Sequence, residues 1–151
     1  MKKRLITLTS FSFIFIFSLC RCGGGGSGSV LYNPVPLGIL SVSGGPIYDF
    51  GSHLVDSETV REFTVTNIGG GSAKDITGNF YFSLSFTYLG GSYPGTGGTC
   101  GGELAPDSQC KIVVQFSPKA LGLTQTSLQL SYFNGTSSVV TSSPLLTGTG
   151  I

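Results

Sequence analysis

Four cysteines have the most distinctive chemistry in this chain, and they occur as two close pairs. Cys20 and Cys22 end an apolar N-terminal segment and lead directly into a glycine- and serine-rich stretch. Cys100 and Cys110 lie far downstream, with nine residues between them. A thiol can be acylated, oxidised to a disulfide or bound to a metal, so the surroundings of each pair decide between these reactions.

The N-terminal segment has the features of a secretion signal. Residues 1–4 carry three positive charges, and the next fifteen residues, Leu5–Leu19, carry none and are mostly Leu, Ile and Phe. An apolar run of this length is typical of a signal peptide and is shorter than the ~20 residues of a membrane span. We therefore predict a signal peptide over residues 1–21 and export of the rest. A retained N-terminal membrane anchor is the alternative.

The segment around the first cysteine pair resembles the junction of a bacterial lipoprotein, in which a cysteine at the cleavage site receives lipid and a flexible tether follows. Such a junction has a small residue immediately before the cysteine, whereas Leu19 precedes Cys20 and Arg21 precedes Cys22. Cys22 fits better, because Leu19 then lies three residues upstream. We predict lipid attachment at Cys22 or else Cys20, a tether over residues 22–36, and a membrane-anchored protein on the periplasmic or outer-surface side of the cell envelope. A soluble secreted product is the alternative.

The second pair is predicted to form a disulfide. An exported protein meets oxidising conditions, and a bridge between Cys100 and Cys110 would close a glycine-rich loop. Closing a loop of this length stabilises a fold by roughly 2.5–3 kcal/mol on the chain-entropy model. A redox-active pair or a metal site is the alternative, but the spacing fits neither C-x-x-C chemistry nor zinc, and the single histidine, His53, is distant.

The acids around His53 do not form a recognisable catalytic or metal motif. Asp49, Asp56 and Glu58 are its neighbours in the sequence, and they lack the alternating spacing of a calcium loop. A catalytic triad would need His53 as its base, and no G-x-S-x-G sequence supplies a nucleophile. The stretch Gly69–Lys74 is not a phosphate-binding loop and is predicted to be a flexible turn. We therefore expect no enzyme activity, no cofactor and no metal, with His53 on a surface loop.

Composition indicates an all-β domain without affinity for nucleic acid. Charged residues make up 10% of the chain, against about 25% in typical soluble domains. From residue 22 onward there are four basic and seven acidic residues, a formal charge of −3, so no basic surface is available for phosphates. Glycine, serine and threonine are abundant, and no segment has the helical 3.6-residue period.

Alternation of apolar and polar residues predicts seven short strands within a domain over residues 37–151. The clearest is 79–88, where Phe80, Phe82, Leu84, Phe86 and Tyr88 alternate with polar residues and are expected to face the core. The dipeptide Asn134-Gly135 predicts a two-residue hairpin turn. Seven strands with one apolar face each require two packed sheets, so we predict an Ig-like β-sandwich.

An ordered set of short motifs then becomes recognisable, listed in chain order as Tyr48-Asp-Phe-Gly51, Val60-Arg-Glu-Phe-Thr-Val-Thr-Asn-Ile-Gly69, Gly98-Thr-Cys100, Leu104-Ala-Pro-Asp-Ser-Gln-Cys110, Val114-Gln-Phe-Ser-Pro118 and Leu146-Thr-Gly-Thr-Gly150. The set resembles the ASPM–SPD-2–Hydin (ASH) type of Ig-like domain, in the bacterial form found in choice-of-anchor D surface proteins. The resemblance covers about residues 46–150.

The resemblance implies a seven-stranded sandwich related to the major sperm protein fold. It implies that Phe50 and Phe116 enter the core, that Asn67 and Gly69 end a strand, and that the cysteine pair fastens a loop to the strand beginning at Lys111. Relatives are structural or interaction modules, often in tandem, whereas this chain has a single copy.

From these observations we expect a non-catalytic envelope protein for structural, adhesion or protein–protein contact. Its partners would be the membrane, through the lipid, and an unknown protein or glycan. Tyr81, Tyr88, Tyr93 and the loop Gly90–Gly98 are the candidate contact surface. The competing hypothesis is a periplasmic or surface enzyme or carbohydrate-binding protein that uses loop residues.

Overall fold

The computed structural model describes residues 33–151, and these residues form nine β-strands. The strands are β1 (Leu40–Val42), β2 (Ile47–His53), β3 (Thr59–Asn67), β4 (Ala73–Phe80), β5 (Phe86–Tyr88), β6 (Glu103–Leu104), β7 (Gln109–Phe116), β8 (Gly122–Phe133) and β9 (Ser138–Gly150). The predicted signal peptide, Cys20 and Cys22 lie outside the described residues. Within residues 33–151, no helix is long and apolar enough to cross a membrane.

The strands form two sheets, which confirms the prediction of an all-β, Ig-like sandwich. One sheet has the order β1-β3-β7-β5 and the other the order β2-β9-β8-β4-β6. Every neighbouring pair is antiparallel except β2 and β9, which run parallel. One core contains buried apolar side chains from both sheets, as expected when each sheet has one apolar face to cover.

Aromatic rings join the two sheets at the centre of the core. Phe86 and Phe116 stack within one sheet, with ring centroids 4.6 Å apart. Phe50, from the other sheet, lies 5.5 Å from Phe86 and 5.6 Å from Phe116. The expectation that Phe50 and Phe116 enter the core is therefore confirmed. Gly148 makes room for this packing, because a Cβ there would lie 2.5 Å from the Phe116 ring.

The predicted single strand 79–88 is wrong. Strand β4 ends at Phe80, the chain turns, and β5 begins at Phe86 in the opposite sheet. In the turn, Phe82 has φ +46° and its side chain is 89% exposed, while Leu84 is 85% exposed, so neither faces the core. The hydroxyl of Ser83 stabilises the turn by accepting the backbone N–H of Phe86. Apolar alternation therefore continued through a corner where the chain changes sheets.

The prediction of seven strands was also too low, and nine are found over residues 33–151. The predicted strand 79–88 corresponds to parts of two strands, the end of β4 and all of β5, which adds one to the count. Strand β4 also begins earlier than predicted, at Ala73, inside the stretch Gly69–Lys74 that was expected to be a flexible turn. Lys74 therefore lies in a strand. The two-residue strand β6 was not predicted. Both missed segments have few apolar residues, so period-2 alternation could not reveal them.

The predicted hairpin at Asn134-Gly135 joins β8 to β9, but its loop has four residues and not two. Phe133 pairs with Ser138 across the loop. The Asn134 side chain accepts the backbone N–H groups of Thr136 and Ser137, both at 2.9 Å. These bonds organise a longer turn than the two-residue type that Asn-Gly favours.

Asn67, at the end of β3, is a fully buried polar residue whose amide is completely hydrogen-bonded. Its Oδ1 accepts the backbone N–H groups of Ile39 and Gly69, each at 3.0 Å. Its Nδ2 donates to the carbonyl oxygens of Gly71 at 2.8 Å and Leu104 at 2.9 Å. One side chain thus uses its two donors and both lone pairs to join three segments, which are the chain before β1, the turn at Gly69–Gly71 and β6.

Gly69 is required at its position for space. It is not among the glycines with positive φ in the described part of the chain. Instead, a Cβ on Gly69 would lie 2.1 Å from the carbonyl oxygen of Leu37 and 2.5 Å from the nitrogen of Ile39. The backbone therefore approaches a neighbouring segment too closely for any side chain.

We predict that Asn67→Ala lowers the free energy of unfolding by about 4 kcal/mol or more, because it leaves four backbone groups without partners. Asn134→Ala is the matched control, since it removes a half-buried side chain that makes two local hydrogen bonds. Its cost should be about 1 kcal/mol. Urea denaturation of both variants measures the difference, and equal losses would contradict the role assigned to Asn67.

Candidate functional site

The cysteine pair predicted to form a disulfide is bridged. Cys100 and Cys110 are joined with their Cα atoms 4.8 Å apart. Cys110 lies in β7, which begins at Gln109 and not at Lys111, and the residue before Cys100 also bonds to that strand. Thr99 donates its backbone N–H to the Lys111 carbonyl and accepts the Lys111 N–H at its hydroxyl. The bridge therefore fastens a loop that contains β6 to the middle of one sheet.

His53 ends strand β2 and is half-buried, so its prediction as a surface-loop residue is wrong. Its Nε2 lies 2.9 Å from the Phe50 carbonyl oxygen, and its Nδ1 lies 3.0 Å from the Thr59 hydroxyl. Both ring nitrogens thus have hydrogen-bond partners, one within β2 and one at the first residue of β3. Among residues 33–151, no carboxylate forms a hydrogen bond or an ion pair with this ring.

Asp49 and Asp56, which neighbour His53 in the sequence, bond to groups other than His53. Asp49 accepts the Gly51 backbone N–H and the Thr147 hydroxyl. Asp56 forms an exposed ion pair with Lys119, at 3.1 Å. In the described part of the chain, no three His, Cys, Asp or Glu side chains lie together in a way that could hold a metal ion. The structure therefore does not bring the acids around His53 together.

Two of the three tyrosines expected on a contact surface do meet. Tyr88, in β5, and Tyr93, in the loop Gly90–Gly98, pack edge to face with their ring centroids 5.5 Å apart. Tyr81 lies apart from them on the exposed corner between β4 and β5, where its ring packs against Phe82 at 4.6 Å. We call residues 81–85 the corner.

Tyr88 and Tyr93 line a groove where the edges of the two sheets face each other. The groove has a volume of about 330 Å³. Its lining residues, none of them charged, are Gly78, Asn79, Phe80, Ser83, Phe86, Thr87, Tyr88, Gly91, Ser92 and Tyr93. We call this feature the seam groove. A second groove of similar volume lies beside the disulfide, lined by Thr64, Gly97, Thr99, Gln109, Cys110 and Lys111.

Two buried hydroxyl groups lie at the seam groove without a hydrogen-bond partner. Among residues 33–151, the oxygens of Tyr88 and Tyr93 are the buried side-chain polar atoms left unpaired. Burial raises the pKa of Tyr93 to about 12. Burial, and then the nearby Tyr93, raise the pKa of Tyr88 still further. Both side chains are therefore neutral at physiological pH. Each unpaired hydroxyl can donate one hydrogen bond and accept another.

Sequence reasoning missed the most exposed apolar side chains at this site. Phe82 and Leu84 were assigned to the core, but they project from the corner beside the groove. It also missed Gly78, where a Cβ would lie 2.1 Å from the Tyr88 hydroxyl oxygen. The one available signal was the glycine itself, because a glycine inside a strand pattern often marks a close approach of another group.

The sequence matches no protein-family model and no curated protein. Among solved structures, the fold is similar to part of the VesB protease of Vibrio cholerae, with a TM-score of 0.57 and 16% identity over 73% of this chain and 31% of that one. It is also similar to an ASH/PapD-like domain of human CEP192, PapD-like domain 7. There the TM-score is 0.53 and the identity 14%, over 85% of this chain and 98% of that one.

These likenesses establish the fold, because identities this low carry no information about activity. The chain spans about a third of the length of the protease, and almost the whole CEP192 domain. The ASH-type, Ig-like fold implied by the sequence motifs is thus supported by structural similarity. This chain has an ASH/PapD-like, Ig-like fold.

We predict that Tyr88→Phe raises the free energy of unfolding by about 1 kcal/mol, because it removes a buried hydroxyl that has no partner. The matched control is Tyr132→Phe. Tyr132 is equally buried, but its hydroxyl accepts the Leu40 backbone N–H at 3.1 Å. That variant should lose about 1–2 kcal/mol. Urea denaturation distinguishes the two, and a destabilised Tyr88→Phe would show that its hydroxyl is bonded in the folded protein.

Proposed function

We propose that this chain is a non-catalytic protein-interaction module of the cell envelope, held at a membrane by a lipidated cysteine. The observation that supports it most strongly is the corner, where Phe82 and Leu84 are 89% and 85% exposed directly beside the seam groove. Tyr81 adds a third large side chain, 59% exposed. An ASH/PapD-like, Ig-like fold supports an interaction domain as well.

The corner has the composition of a binding surface. Aromatic side chains that become fully desolvated contribute most of the free energy at protein interfaces, whereas scattered charges contribute little. Phe82 holds an unfavourable left-handed backbone conformation, with φ +46°, that keeps its ring in solvent. Backbone strain of this kind costs of order 1–3 kcal/mol and persists where the surrounding structure determines it. Because strain of this kind clusters at ligand-binding sites, it supports a binding role for the corner.

The chemistry of the described residues supports a non-catalytic role. The ring nitrogens of His53 contact a backbone carbonyl and a threonine hydroxyl, and the nearby acids have other partners. The protease likeness extends over 31% of that protein, and it concerns the fold. A carbohydrate-binding function is the second candidate, since the seam groove combines aromatic rings with uncharged hydroxyl and amide groups.

We predict that the mature N-terminus purified from native membranes is Cys22, or else Cys20, carrying acyl chains. Two or more chains are needed for stable anchoring, since a single chain binds membranes only marginally. Intact-mass and peptide mass spectrometry measure the modification, and a Cys22→Ser or Cys20→Ser variant identifies the residue. An unmodified N-terminus beyond Cys22 would contradict the lipid anchor.

We predict that a photo-crosslinking amino acid in place of Phe82 forms adducts with one partner protein in intact cells. Leu84→Ser in the same chain should lower the adduct yield about tenfold, because it removes a neighbouring apolar contact. The matched control carries the crosslinker in place of Ile68, which is 62% exposed and directly follows β3. Adducts are identified by mass spectrometry.

Equal adducts at both positions would show non-specific contact. The absence of protein adducts, together with binding of the purified chain to a glycan array, would contradict the interaction module and favour the carbohydrate-binding alternative.

A further inference from the structure

The outer edge of strand β4 is only half covered. Strand β6 pairs with Ala73 and Lys74, and the Gly102 carbonyl accepts the Ile76 N–H, which covers the first half of that edge. On the other side of β4, Tyr81 bonds to Ser127 of β8, so in this antiparallel pair the backbone groups of Gly78 and Phe80 point away from β8.

The open stretch of β4 is therefore Gly78–Phe80. Among residues 33–151, no strand pairs with this side of it. It lines the seam groove, and it offers two N–H groups and two carbonyl groups. Gly78 and Phe80 are two residues apart, so their groups repeat every ~6.5–7 Å, the period of an extended chain.

The opposite wall of the groove is the free edge of β5. Leu89 donates its N–H to Val113 of β7, and the Ser85 carbonyl accepts the N–H of Ser117, which directly follows β7. The alternation therefore turns the backbone groups of Phe86 and Tyr88 toward the groove. The Phe86 N–H is taken by Ser83 and the Tyr88 carbonyl by Gly91. The Phe86 carbonyl and the Tyr88 N–H remain open, so this wall too offers one acceptor and one donor.

We propose that the seam groove binds an extended, uncharged peptide segment of a partner protein, which adds a strand to the open stretch Gly78–Phe80 of β4. The proposal rests on the proposed interaction function and names its mode of binding. A peptide backbone supplies alternating donors and acceptors at the period of the open groups, whereas the hydroxyl groups of a glycan have no such period.

The absence of charged residues from the groove favours an uncharged peptide segment. None of the ten lining residues is charged, so a Lys, Arg, Asp or Glu of the peptide would lose water here without gaining a partner. Tyr88 is 5% exposed, and its unpaired hydroxyl lies against the backbone of Gly78, within the open stretch. Aromatic side chains of Phe80 and Tyr93 give the peptide an apolar surface beside these polar groups.

The test begins with phage-displayed random twelve-residue peptides, selected on the full chain in detergent. Selected peptides should be depleted in charged residues. At saturation with one such peptide, hydrogen exchange followed by NMR should slow about tenfold or more at the amides of Gly78, Phe80 and Tyr88. The amide of Val42, on the edge strand β1 of the other sheet, should be unchanged.

A pair of variants tests the place of binding independently of folding. Ser92→Trp puts a large ring at an exposed position of the groove and should weaken peptide binding about tenfold or more. Ser41→Trp is the matched control on exposed β1, and it should bind as the unmodified chain does. Circular dichroism and urea denaturation verify that both variants are folded.

The outcomes separate this proposal from the proposed function. Phe82 adducts together with unchanged exchange at Gly78 and Phe80, or with no selected peptide, would overturn strand addition and leave the interaction module standing. No selected peptide and no adducts would overturn both. Protection of the same amides by self-association, seen as concentration dependence in sedimentation without peptide, would show that the occupant is a second copy of the chain.

Discussion

Three backbone segments are held together by the buried amide of Asn67. It joins the segment before β1, the two ends of the turn at Gly69 and Gly71, and the two-residue strand β6. Its own backbone adds bonds to Asp107 and Ser108. A fully satisfied polar group of this kind specifies one arrangement, because every alternative leaves donors or acceptors buried without partners.

The same amide sets where the seam groove begins. Strand β6 pairs with β4 through only two residues. The hydrogen bond from the Asn67 amide to the Leu104 carbonyl helps to keep β6 beside Ala73. The disulfide between Cys100 and Cys110 holds the loop that carries β6 from the other side. Because β6 begins only at Glu103, directly after the Gly102 carbonyl that accepts the Ile76 N–H, the outer edge of β4 is covered only as far as Ile76. The binding surface is thus a consequence of where the structural contacts stop.

Sequence patterns predicted the sandwich, the disulfide and the core positions of Phe50 and Phe116, because these depend on residue type and spacing. They failed where one pattern fits two structures. Phe82 and Leu84 continue the alternation of a strand, yet they lie between Phe80, where the chain leaves one sheet, and Phe86, where it enters the other. Strand β4 lacks the alternation because Gly78 occupies a position whose side chain would point inward. The Tyr88 hydroxyl fills the space that such a side chain would need. The groove depends on which edges stay unpaired, a property of register that no single residue encodes.

The open stretch of β4 differs from the other edges of this fold. Natural sheets protect their edges with very short strands or bulges, because a free edge invites pairing with other chains. Here β1 and β5 have three residues each, and β2 has a register shift between Asp49 and Ser52 with Gly51 at φ +85°. Gly78–Phe80 is equally short, but the register shift of β4 lies before it, between Lys74 and Thr77, and not within it. It lies directly beside the exposed aromatic corner, so open backbone groups and the most exposed apolar side chains of the described residues are neighbours. That coincidence is what distinguishes a pairing site from an unfilled gap in the sheet.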